Sequence, residues 1–178
     1  MVRAQDKERL GGLARTGYCA AKHTYFHGVR EHLIFTPQGL VAYVQHVPGN
    51  RHDVNGLYAL LHTSFKGALL GDSAYQPNPT MNARLHAHGI RAHAEQKANA
   101  KEPRPEYLRQ WLHVRRSPIE RRIALFDAQF AGGRTRNRSA RHFLARRWTK
   151  ALAHNYSRHI NRANHLPVES VRHFHAAA

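Results

Sequence analysis

Residues 25–36 (YFHGVREHLIFT) and 40–47 (LVAYVQHV) are β-rich, partly alternating runs separated only by Pro37-Gln38-Gly39. A connection this short, built from turn-forming residues, joins strands as an antiparallel hairpin. Pro48-Gly49-Asn50 ends the second strand, and from His52-Asp53-Val54 a helical spacing puts Leu57, Leu60 and Leu61 on one side. Residues 67–70 (GALL) read as a short buried strand stopping at Gly71-Asp72. Residues 79–90 read as a helix closed by Gly89, and residues 90–94 as another short strand. The polar, proline-bearing stretch 95–106 reads as a loop. Helical spacing returns over 117–130 and 140–160, with Gly132-Gly133 between them and a frayed end at HFHAAA. Strands in front with helices packed on them predict a mixed α/β layer fold.

With 178 residues, 42% of them hydrophobic, the chain can bury one proper core, and its length predicts a single domain. Charge decides the class of partner. Lys and Arg number 28 against 11 Asp and Glu, a formal net charge of +17. Such an excess attracts polyanions, above all nucleic acid, although a basic ribosomal-type protein or an anionic membrane surface fits the bare number too. The single Cys19 excludes an internal disulfide framework. No apolar run is long enough to span a membrane, and MVRAQDKERL is too charged for a signal peptide, so a cytoplasmic protein is expected.

With only 11 carboxylates, each can be weighed. Asp6, Glu8, Glu95, Glu102, Glu106 and Glu169 stand in polar or terminal stretches and read as solvated surface. Glu31 lies in a strand between Arg30 and His32 and is expected to face outward. Asp127 sits beside apolar helix residues, where Arg134 or an arginine one turn back could pair with it. Asp53 suits a helix start. Asp72 ends an apolar strand, which admits two readings: a ligand position in the crevice beyond strand ends, or a cap for the turn that follows. Ser117-Pro118-Ile119-Glu120 has the form of a capping box, with proline at the first helical position.

Four pieces in order then form a recognisable series: Tyr18-Cys19-Ala20-Ala21-Lys22 with Tyr25-Phe26-His27-Gly28, Pro48 to Asp53, Gly71 to Tyr75, and Arg115 to Phe126. Together, over about residues 17–156, they resemble the DDE transposases of bacterial insertion sequences. The resemblance implies a ribonuclease-H-like core, a mixed sheet flanked by helices, in which three carboxylates hold two divalent ions, Mg²⁺ or Mn²⁺, roughly 4 Å apart. Carboxylates supply the hard oxygen ligands such ions prefer. By this resemblance Asp72 is the second metal-binding acid and Glu120 the third. A metal would also offset the cost of a carboxylate at an apolar strand end. The partner implied is duplex DNA, at transposon ends and target, bound in the intact family member by a homo-oligomer associated with the nucleoid.

The family's first acid belongs on a strand upstream of residue 17. Only Asp6 is a candidate by position, and no apolar run surrounds it. The expectation is therefore a polar, disordered leader over 1–16, a partial catalytic core over 17–160 lacking its first strand, and a tail over 161–178. Such a chain is expected to be a fragment, inactive or nearly so by itself. In the tyrosine, arginine, glutamate, lysine series of some relatives, Arg116 stands the right distance before Glu120, but His113 and Asp127 occupy the tyrosine and lysine places.

Arg115, Arg116, Arg121 and Arg122 flank Glu120 and are the expected DNA contacts; Arg134, Arg136, Arg138, Arg141, Arg146 and Arg147 follow. Trp111, Trp148 and Phe143 read as core rather than as base-stacking residues. The 16 histidines, including His86-Ala87-His88 and His173-Phe174-His175, lack zinc-site spacing and read as surface. Two rival readings stand beside the transposase: a non-catalytic DNA-binding protein competing with intact transposase, and a basic RNA-binding protein.

Overall fold

The structure is a computed structural model that describes residues 10–19, 23–96, 100, 102–130, 137 and 139–169. The chain divides into two compact units, residues 1–50 with 121–178 and residues 51–120, where length had predicted one domain.

In the first unit, β1 (Arg15–Cys19), β2 (Thr24–Phe35) and β3 (Val41–Pro48) form an antiparallel sheet in the order β1-β2-β3. The predicted hairpin is β2–β3, with Leu33 opposite Val44 and a register shift between Ile34 and Phe35. Its turn closes through Gly39 N–H to Thr36 O (2.8 Å), and Gly39 takes φ +82°, which a residue with a Cβ adopts only at a cost. The sequence reading missed β1. Leu10 and Ala14 are buried and β1 begins at Arg15, so the described part of the expected leader is structured; residues 1–9, Asp6 among them, lie outside the described residues.

The long helix Ala140–Ala163 packs on β3. Ser139 starts it, its hydroxyl accepting from His142 N–H (3.3 Å). Val41, Val44, Phe126 and Ala151 form the principal core cluster, with Leu33, Phe35 and Phe130 against it; a second cluster joins Leu10, Ala14 and Phe143. Phe126 is 1% exposed, a burial worth about 2–3 kcal/mol.

Glu31 does not face outward. Its carboxylate sits 2.8 Å from His46 Nε2 and takes a two-pronged pair from the buried Arg147 guanidinium. An apolar strand pattern shows which face is inside but not that a long-range cation waits there.

In the second unit, a 3₁₀ turn (Asp53–Asn55) leads into α1 (Gly56–Leu60), then come β4 (Gly67–Gly71), a 3₁₀ turn (Ser73–Tyr75), α2 (Pro79–Ala87) and β5 (Ile90–Ala94). β4 and β5 pair in parallel, Gly67 opposite Ile90 and Gly71 opposite Ala94, with α2 as the connection packed on β5. Asn78 caps α2 by accepting from Met81 N–H (2.8 Å), with Pro79 in the first turn. Leu57, Leu60, Met81, Leu85, Ile90, Ala94 and Leu112 are buried in this unit. Among the described residues the strands thus make two sheets, one antiparallel and one parallel, where one mixed sheet was expected.

α3 runs without a break from Glu106 to Phe130, and the helix Ala140–Ala163 is α4. The helix start expected at Ser117 is therefore absent. Ser117 and Glu120 lie in mid-helix and Pro118 is an interior proline, so Val114 O receives no N–H from position 118. The exposure of Val114 and Pro118 lets water satisfy that carbonyl.

Candidate active site

Asp72 stands immediately after β4, and both sequence readings of it concern the same few atoms. Its Oδ1 accepts from Ala74 N–H (2.8 Å), which makes it the cap of the 73–75 turn. This bond uses one carboxylate oxygen and directs the side chain to the strand end. The 53–55 turn packs on the 73–75 turn, bringing Asp53 into the same neighbourhood.

Glu95 follows β5 as Asp72 follows β4. Its N–H donates to Gly71 O (3.0 Å), extending the ladder by one bond, so the two acids leave neighbouring parallel strands at matched positions. Glu95 is not the solvated residue expected of a polar stretch. Its side chain is 25% exposed, with Oε1 2.9 Å from Arg116 Nε and 3.7 Å from His113 Nδ1. The Arg116 Nε–H is not aligned on that oxygen, so this contact is an ion pair rather than a hydrogen bond.

Arg116 also reaches forward one helical turn: its NH2 lies 2.9 Å from Glu120 Oε1. This i,i+4 contact exists because residues 116–120 are helical. Glu120 is 63% exposed, so the pair contributes little to stability. One guanidinium therefore links Glu120 to Glu95, and Glu95 is hydrogen-bonded to the strand that Asp72 ends. Sequence reasoning missed Glu95, although its position directly after a short apolar strand repeats that of Asp72.

The arginines divide by role. Arg115 lies over the Trp111 ring, 4.7 Å from its centroid, and both residues are exposed. Arg121 is exposed. Arg122, expected on DNA, donates to Thr36 O (3.2 Å) and Pro37 O (2.9 Å), holding the β2–β3 turn. Arg147 is committed to Glu31. Arg134, Arg136 and Arg138 lie outside the described residues. Of the three aromatics read as core, Phe143 is buried, but Trp111 and Trp148 are 43% and 45% exposed. Among the described residues no three His, Cys, Asp or Glu side chains group closely enough to hold a metal ion, and no helix is long and apolar enough to cross a membrane.

The family model for the transposase DDE domain matches residues 2–156. No curated protein and no solved structure matches the chain significantly. The match spans most of the chain and contains Asp72, Arg116 and Glu120. This protein belongs to the transposase DDE domain family, whose members act in DNA transposition.

Proposed function

We propose that this chain takes part in metal-dependent cleavage and strand transfer at insertion-sequence ends, with Asp72 and Glu120 as metal-binding carboxylates. The observation that supports the reading is an indirect connection between the elements that carry these two acids. Asp72 ends a parallel strand, and Glu120 is linked through Arg116 and Glu95 to the neighbouring strand end. The donor set fits in chemical kind, since both residues offer hard carboxylate oxygens. When bound, Mg²⁺ or Mn²⁺ supplies charge stabilisation at the attacking and leaving oxygens of a phosphodiester.

The chain's own residues do the rest. The cap bond to Ala74 fixes the Asp72 carboxylate through Oδ1 and leaves Oδ2 for a ligand. Arg116, beside Glu120, offsets the repulsion between an acidic site and its polyanionic substrate and contacts a phosphate, while Arg115 and Arg121 extend the cationic surface. A homo-oligomer on DNA is part of this reading.

A second reading, a non-catalytic DNA-binding protein that competes with intact transposase, rests on the formal net charge of +17, which attracts DNA whether or not a metal is bound. Incubation of the chain with supercoiled plasmid and Mn²⁺ separates the two. Nicking that disappears in Asp72→Asn and Glu120→Gln, with DNA affinity nearly intact, supports the first. A gel shift with no metal-dependent nicking supports the second.

A further inference from the structure

Glu95 stands outside the proposed metal-binding pair, yet it joins the elements that carry both members. It is hydrogen-bonded to Gly71 next to Asp72, and its carboxylate is paired with the guanidinium that also holds Glu120. Arg116 spends the Nε side of its fork on Glu95 and one NH2 contact on Glu120. Among the described residues no partner is assigned to NH1. At 20% side-chain exposure the Arg116 guanidinium lies between two carboxylates, Glu95 beside Nε and Glu120 beside NH2, and their charges narrow the rotamers open to it.

We infer that Glu95 is a positioning residue: it fixes the Arg116 guanidinium so that its remaining donors meet a DNA phosphate beside Glu120. This inference rests on the proposed phosphate contact of Arg116. Its consequence runs against simple electrostatics. Removing an acid from the DNA-facing part of a protein ordinarily strengthens DNA binding, because one repulsive charge is lost. If Glu95 works by orienting Arg116, its removal weakens binding instead.

The test is the affinity of the full chain for a fluorescent duplex of fixed length, measured by anisotropy over a range of salt concentrations. Arg116→Ala is expected to weaken binding several-fold and to lower the salt slope by about one. Glu95→Ala is expected to do nearly the same, and the double variant to be no worse than either alone, since the two substitutions remove one contact. Glu95→Gln, which keeps the size of the side chain beside Arg116 but removes its charge, is expected to fall between. A merely structural role for Glu95 would lower the melting temperature and leave the salt slope unmoved.

If Arg116→Ala weakens binding while Glu95→Ala and Glu95→Gln bind as well as the parent or better, the inference is wrong and the phosphate contact stands. An unchanged affinity and slope in Arg116→Ala removes the phosphate contact and the inference together. Should Glu95→Ala fail to fold, Glu95→Gln decides alone: weaker binding with a reduced slope supports positioning, and equal or tighter binding overturns it.

Discussion

Glu31 on β2 and Arg147 on α4 form a two-pronged ion pair in the interior of the first unit, with His46 of β3 on the same carboxylate. Burial alone would raise the Glu31 carboxyl, but hydrogen bonds from His46 and Arg147, with the charge of both, outweigh it and bring it from 4.5 down to about 2. A carboxyl lowered in the folded state stabilises fully above its unfolded value, and that stabilisation is lost as pH falls from 4.5 toward 2. Glu31→Gln leaves Arg147 without its carboxylate and is expected to cost roughly 3–5 kcal/mol at neutral pH. Urea midpoints measured against pH should fall through this window in the parent and stay nearly level in the variant.

His154 titrates in a different window. Burial against Phe35, Phe126 and Phe130 pushes its imidazole below 6.5; the Gly39 carbonyl, which accepts from Nε2 (3.0 Å), opposes that, while Arg158 and Arg122 reinforce it. The folded state therefore prefers the neutral ring. Its contribution is complete above 6.5 and declines as pH falls below that value. In His154→Gln the decline just below 6.5 should vanish while the acid limb governed by Glu31 remains, as denaturant titrations at closely spaced pH values would show.

The sheet of the first unit tolerates no side chain at Gly17. A Cβ there would lie 1.9 Å from Gly49 O, and one at Gly49 would lie 2.5 Å from Arg15 O, so backbone would have to move. Gly17→Ala is expected to destabilise by about 1–3 kcal/mol, as overpacking does. Gly28→Ala meets only Phe26 at 3.7 Å and serves as the control. Thermal melts of the two variants should differ clearly.

Arg122 and Arg115 should fail in different assays. Arg122→Ala loses two hydrogen bonds to the β2–β3 turn and is expected to lower the melting temperature with little change in the salt slope of DNA binding. Arg115→Ala and Arg121→Ala should each lower that slope by about one and melt like the parent. A reduced slope in Arg122→Ala would return that residue to the DNA-binding set.

Asp72 combines a cap with a charge, and substitutions separate them. Asp72→Asn keeps an acceptor for Ala74 N–H and should melt like the parent, whereas Asp72→Ala should lose roughly 1 kcal/mol. Where the parent nicks DNA with Mn²⁺, both are expected to abolish that nicking. Nicking retained in Asp72→Asn would remove this carboxylate from the metal site.

Elements governed by neighbouring residues were legible in the sequence. The 36–40 turn, the short strands 67–70 and 90–94 and the helix from Pro79 follow from side-chain period and from Pro, Gly and Asn at particular places, all local properties of the chain. The cap role of Asp72 was also visible, because a cap needs only the next two residues. What the tertiary structure decided concerns partners far apart in sequence. Glu31 and Arg147, 116 residues apart, could each be read as surface until α4 packed on the sheet. Ser117-Pro118-Ile119-Glu120 has the letters of a helix start, and only the helicity of residues 106–116 places it in mid-helix, where Glu120 meets Arg116 one turn away. Trp111 and Trp148 read as core by residue type but lie on helix faces that the described residues leave exposed. Glu95 looked like one more acid in a polar loop. The parallel register of β4 and β5 set it beside the end of Asp72's strand, and pairing with Arg116 gave a reason for its burial, because a partly desolvated carboxylate requires a cation that only the folded chain delivers.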